Sequence, residues 1–186
     1  MDIGWRLVCA NNTPIENQEG SPTWSPYSTQ IAFGGMTHAA EKPAGQLVIH
    51  IFNLKTRQFS NVPSSEGLWS SRWSPDRRYI AALTEESRNL MLFDFHTGRS
   101  VRLATMAKIP DLACSQYEDA ICLNGEPTAG VRAIFCMNVR SSQPPRLARL
   151  VGRSELDRLG LTSNDPPLIA HNPVTREIYA LTVKWP

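Results

Sequence analysis

The chain has no run of about eighteen uninterrupted apolar residues, so no segment of it reads as a membrane-spanning helix. None of its four cysteines (Cys9, Cys114, Cys122, Cys136) forms a C-x-x-C pair, and they are too sparse over 186 residues for a disulfide-built scaffold. They read as four thiols packed inside strands, with two disulfides as the alternative. There is no G-x-S-x-G, which removes the strand-turn-helix elbow of serine hydrolases. His38, His50, His96 and His171 are scattered with neither H-x-x-x-H nor H-E-x-x-H spacing, and no calcium-loop pattern occurs, so no metal and no cofactor is expected. Charge of one sign is also missing: 19 basic and 17 acidic residues leave +2, too little to call for nucleic acid or an anionic membrane. The opening MDIGWRLVCANN has an acidic second residue and an apolar run too short for a secretory leader. Apart from RSELDRLG (153–160), read as one or two helical turns, no window holds a helical period.

What is present is a repeat. W-S-P-Y-S-T-Q-I-A-F (24–33) lies almost in register over W-S-P-D-R-R-Y-I-A-A-L (73–83), and weaker copies begin at Cys114 and Leu161, giving spacings of 49, 41 and 47 residues. Each start is followed by a short apolar run, a polar gap and a second run: QIAFGG then QLVIHIFNL, YIAAL then NLMLFDF, AICL then AIFCMNV, PLIA then EIYALTV. These runs are four to nine residues long, rich in β-branched and aromatic residues, and bounded by Gly, Pro, Asn, Asp or Ser, which is the signature of strands. A unit of about 40–50 residues with three or four short antiparallel strands is a β-propeller blade. One such sheet cannot bury both faces alone, so neighbours must stack, and the opening Trp supplies apolar area for that contact. In the turn after it, Pro presets φ and the Asp carboxylate is placed to accept from the backbone two residues on.

The segments TWSPYSTQIAFGG and RWSPDRRYIAAL…LMLFDFHTG resemble the WD-repeat-like propellers of the TolB type, whose blades open W-S-P-D-G and turn through D-x-x-T-G. The match rests on Trp24, Ser25 and Pro26, and on Trp73, Ser74, Pro75, Asp76, Asp94 and Gly98. The expected fold is all-β: a propeller region over 1–186 of about four blades, near 21–65, 66–106, 107–150 and 151–186, as a complete or an incomplete ring. Asp94 is expected to bond backbone in its turn. Arg77 stands where the family has Gly, and Tyr27-Ser28-Thr29 replaces Asp-Gly in the first copy, so those turns either change geometry or accept strain. Cys114 and Leu161 stand where Trp is expected. SEGLWSSRWSP and REIYALTV also resemble a bacterial subgroup in which the propeller is the C-terminal part of a winged-helix regulator, on the periplasmic side of a membrane anchor; related chains carry a kinase. No such domain is read here.

The last copy stops after its third strand, while GWRLVCA (4–10) is an unpaired strand. Residues 1–20 therefore either complete the last blade, closing a four-bladed ring, or are the remnant of a preceding blade. The second reading is preferred, and it leaves apolar sheet faces open for a partner or for self-association. The functional expectation is a non-enzymatic binding module, probing a protein or a small ligand through loops that join second to third strands: 36–46 with His38 and Lys42, 84–89 with Glu85 and Arg88, 124–132 with Glu126 and Arg132, and 170–176 with His171 and Arg176. The alternatives are the propeller part of a larger hydrolase or kinase, or a truncated product. Six arginines between 132 and 158 form a local basic bias without interleaved aromatics, so nucleic acid is not expected and a charged blade edge accounts for them.

Overall fold

The computed structural model describes residues 20–36, 45–115, 119–140, 146–149, 158–162, 166–171 and 177–180, and every regular element among them is a strand. β1 (Gly20–Trp24), β2 (Gln30–Met36), β3 (Leu47–Asn53) and β4 (Gln58–Asn61) form the first sheet. β5 (Leu68–Trp73), β6 (Tyr79–Thr84), β7 (Asn89–Asp94) and β8 (Arg99–Thr105) form the second. β9 (Lys108–Cys114), β10 (Ala120–Thr128), β11 (Val131–Asn138) and β12 (Arg146–Arg149) form the third. β13 (Arg158–Leu161), β14 (Pro167–His171) and β15 (Glu177–Ala180) form a three-stranded fourth. Each sheet is an antiparallel meander in chain order. The first strands β1, β5, β9 and β13 touch in succession, so they line the axis, and β4, β8 and β12 are outer edges.

The repeat chemistry builds the turns. The Ser25 hydroxyl accepts from the Gln30 amide at 3.0 Å, and the Ser74 hydroxyl accepts from the Tyr79 amide at 2.8 Å, so the serine of each W-S-P ties the first strand to the second. Asp76 accepts from the amide of Arg78 at 3.0 Å. At the other hairpin Asn53 caps the Lys55 and Thr56 amides, Asp94 that of His96 and Asn138 that of Arg140, all between 2.8 and 3.0 Å. The turns lacking Gly keep their left-handed geometry: φ is +63° at Arg77 and +51° at Ser28, a conformation costing L-residues roughly 1–2 kcal/mol.

Period-two alternation gives each sheet two different faces. On one, here called leading, a row runs straight across the strands: Trp73 opposite Ile80, Ile80 opposite Phe93. On the other, trailing, the corresponding row is Ala81 and Leu92. The trailing face of the first sheet, with Ala32, Ile49 and Ile51, packs on the leading face of the second, with Trp73, Ile80, Ala82 and Phe93. The trailing face of the second, with Ala81, Leu83, Leu90 and Leu92, packs on Leu112, Ile121, Leu123 and Phe135 of the third. Ala113, Cys122 and Ile134 then meet Leu159 of the fourth. Gly34 is required at the first seam, since a Cβ there would lie 3.1 Å from the Trp69 Cα. Among the described elements no comparable packing joins β13–β15 to β1–β4, and the ring is open. The strand read at 4–10 lies outside the described residues.

Two expectations are corrected. Residues 158–160 belong to β13 rather than to a helix, because Leu159 is buried against Ala113, Cys122 and Ile134 and its amide donates to Asp111 at 3.0 Å, a tertiary demand stronger than helix propensity. Cys122 and Cys136 are not thiols: they stand directly opposite on β10 and β11 with Cα atoms 4.0 Å apart and are joined as a disulfide. That separation suits the closer of the two antiparallel pair types, in which side chains on one face meet. Cys114 is free and packs at the second seam, where burial pushes its pKa up to about 12. Cys9 lies outside the described residues. Alkylation of the native chain at pH 8 should therefore leave Cys114 unlabelled, and unfolding without reductant should expose it while Cys122 and Cys136 stay protected, as peptide mass mapping would show. Labelling of all three would contradict the pairing.

Candidate functional site

Of the residues expected to line one mouth of the ring, His38, Lys42 and Arg176 lie outside the described residues, and His171 ends β14. Glu85 and Arg88 sit, both exposed, in the short hairpin between β6 and β7. Glu126 and Arg132 are not in a loop. β10 continues to Thr128 and β11 begins at Val131, leaving a two-residue turn in which Gly130 takes φ +80°. An ion pair of 2.7 Å from Arg132 Nε to Glu126 Oε1 closes the hairpin across its strands. Each of these hairpins joins a second strand to a third, so they share a face, but the described ones are short and make no enclosed site.

The opposite face, where first strands turn into second and third into fourth, carries more chemistry. A groove of about 570 Å³ follows the seam between the first and second sheets, lined by Tyr27, Ile51, Trp73, Asp76, Arg77 and Phe95. Tyr27 is 71% exposed and Phe95 40% exposed. The Arg77 guanidinium lies over the Tyr27 ring, 4.9 Å from its centroid, bridging the seam with a cation–π contact. Phe95 stacks on Trp73 at 5.1 Å and 7°, and the buried Trp73 Nε1 has no hydrogen-bond partner.

The acids on this face are already engaged. Asp94 accepts from Arg78 (Nη2–Oδ2 2.9 Å), and that guanidinium, with the His96 amide, holds its carboxyl below the usual range. Asp76 is bonded by Ser74, the Arg78 amide and Arg140; burial works to raise its pKa, but these partners together lower it. Arg140 also pairs with Asp119 at 3.0 Å, so it fastens the second sheet to the third. Arg77 has an aromatic ring beneath it and no ion pair among the described residues, and it is the cation that lines the groove.

Nearer the axis a single carboxylate joins three sheets. Asp111, buried in β9, accepts from Arg72 of β5 at 3.1 Å, from the Leu112 amide at 2.8 Å, and from the Leu159 amide of β13 at 3.0 Å. Its role is structural. No group of three His, Cys, Asp or Glu side chains positioned for a metal occurs among the described residues, and no described helix is long and apolar enough to cross a membrane. Neither Asp111 nor the Tyr27–Arg77 pair was singled out from sequence as a site. The signals were present as an acid inside the apolar IPDLAC and an Arg where the repeat expects Gly.

Comparison with solved structures decides what the four stacked sheets are. TolB from Acinetobacter baumannii superposes with a TM-score of 0.65 over 88% of this chain, at 18% identity. The described sheets are successive blades of a β-propeller. The β-propeller domain of the trilobed protease from Pyrococcus furiosus matches with a TM-score of 0.63 over 90% of the chain at 16% identity, and the acylaminoacyl peptidase of Pyrococcus horikoshii with 0.57 over 87% at 11%. The arc spans 40% of the TolB chain, 52% of the trilobed-protease chain and 29% of the peptidase chain. No protein-family model matches the sequence, and no curated protein matches it.

Proposed function

We propose that this propeller arc is a non-enzymatic binding module, and that its groove at the first seam grips an extended, carboxylate-bearing segment of a partner protein. The observation that carries this reading is Arg77. It occupies a left-handed position that glycine fills without strain, yet its guanidinium lies over Tyr27 beside exposed Phe95, unpaired with any described acid. Backbone strain of this kind persists where the side chain serves a purpose, and a guanidinium flanked by aromatic faces suits a carboxylate on an apolar body. The resemblance of SEGLWSSRWSP (65–75) and REIYALTV (176–183) to the propellers of winged-helix regulators supports the sensing or scaffold part of a longer regulatory protein. The Cys122–Cys136 bond supports an oxidising compartment such as the periplasm.

A displayed random-peptide library panned on the chain tests this. Enriched sequences should combine Asp or Glu with an aromatic residue, and Arg77→Ala should weaken their binding about tenfold, the usual scale for one charge-assisted contact. Arg77→Gly should lose the same binding while raising stability by about 0.5–1 kcal/mol, the relief of left-handed strain less the added flexibility of the unfolded chain. Enrichment indifferent to Arg77 would overturn the reading. A second reading, the propeller portion of a larger hydrolase, is favoured by the two peptidases among the structural neighbours. It predicts instead that the arc binds a catalytic domain rather than short peptides.

A further inference from the structure

The two tryptophans of β5 are provided for differently. The indole Nε1 of Trp69 donates to the Thr84 carbonyl at 2.9 Å across the β5–β6 hairpin, so the fold itself supplies the acceptor. Trp73, further along the same strand and only 7% exposed, keeps its Nε1 buried with no acceptor among the described residues. A buried indole N–H normally finds a partner, and leaving one unpaired costs free energy, so the exception calls for a reason. Its place in the fold supplies one. Trp73 lines the groove at the first seam together with Arg77, and the ring stacked on it is Phe95, which lies in the turn from β7 to β8 and is 40% exposed.

The surroundings of that donor select what it can take. Trp73 belongs to the apolar cluster with Ala32, Ile51 and Ile80. A carboxylate brought to one neutral donor among such side chains would surrender its hydration for a single bond, whereas an amide carbonyl surrenders far less. The charged end of a ligand belongs instead to Arg77, over the exposed Tyr27 ring. Resting on the reading of this groove as a carboxylate-binding site, we infer that its ligand is held at two points, a carboxylate at Arg77 and an uncharged amide carbonyl at Trp73 Nε1, which Phe95 uncovers by turning out of its stack. The second bond is the specificity element. A ligand with the carboxylate and an aromatic ring but no carbonyl leaves the buried N–H unpaired, and a site built around a hydrogen bond discriminates on that ground. An extended peptide offers a main-chain carbonyl at every residue, so the floor of the groove selects peptides over simple aromatic acids without reading their sequence.

Two probes test it. The end-blocked dipeptide N-acetyl-aspartyl-phenylalaninamide carries a carboxylate, a ring and amide carbonyls, and hydrocinnamate carries the carboxylate and the ring alone. In a nuclear magnetic resonance titration of the isotope-labelled chain, the dipeptide should move the Trp73 indole N–H signal downfield and leave that of Trp69, which already has its acceptor, in place. Trp73→Phe assigns the signal by deleting it. The same variant should weaken dipeptide binding about tenfold, the scale of a buried donor that loses its partner, and leave hydrocinnamate binding unchanged, while Arg77→Ala weakens both. Native far-ultraviolet circular dichroism of Trp73→Phe separates lost binding from lost folding, and the signal shift is read on the unaltered chain. Dipeptide binding that needs Arg77 but neither shifts the Trp73 signal nor responds to Trp73→Phe would overturn the two-point inference and leave the carboxylate reading standing. Binding indifferent to Arg77, or no binding of either probe at millimolar concentration, would remove the carboxylate reading and this inference with it.

Discussion

Asp111→Ala is expected to lower the unfolding free energy by about 3–5 kcal/mol, the usual effect of stranding one member of a buried ion pair. The carboxylate is the only acceptor shown for two backbone amides, Leu112 and Leu159, and for one Arg72 Nη2 proton, and these donors belong to three different sheets. Removing it takes from the Arg72 guanidinium its ion pair with Asp111 and from two amides the acceptor shown for them, where each unmet buried donor costs roughly 1–3 kcal/mol. Asp111→Asn keeps an acceptor oxygen and should cost less than the alanine variant. Urea titration followed by tryptophan fluorescence checks the order. A loss under about 1 kcal/mol for the alanine variant would show that water replaces the carboxylate and that the axial tie is unimportant.

Trp73→Ala should cost a further 3–5 kcal/mol or so, the range for emptying a packed aromatic site. Its indole fills the first seam against Ala32, Ile49 and Ile51 and stacks on Phe95. Trp24→Ala, the same repeat position in the first sheet, should cost under about 1 kcal/mol, because half of that ring is already in solvent. Trp73→Phe should lie between them: it loses volume but also removes the buried Nε1 donor that has no partner. Thermal unfolding of the three variants side by side gives the comparison. Equal losses for the two tryptophans would mean that the first sheet's outer row is as fully packed as the second's.

The strands and their grouping were readable because they are written in local chemistry. The W-S-P serines bond a backbone amide five residues on, Asp94 caps its own turn, and alternation assigns each side chain to a face; all of this lies within a few residues of sequence. The disulfide was not readable, since Cys122 and Cys136 meet only through the register of two strands. Glu126 and Arg132 looked like loop residues because Pro127, Ala129 and Gly130 break the apolar pattern, yet cross-strand pairing extends the hairpin past them. Asp111 and Arg72 lie 39 positions apart, and no spacing rule links them. The Arg77 anomaly was visible as a departure from the repeat, but its meaning depended on Tyr27, which comes to it from another sheet.

The three separate apolar seams have a consequence for how the chain loses its structure. Among the described residues each sheet packs only on its sequential neighbours, so stability behaves as a nearest-neighbour sum along a line rather than as a property of one shared core. β5–β8 is held from both sides by the two larger seams, whereas the first sheet has one. Amide protons of β6 and β7 should accordingly be the slowest to exchange, with protection falling outward toward the first sheet as terminal sheets fray before the middle gives way.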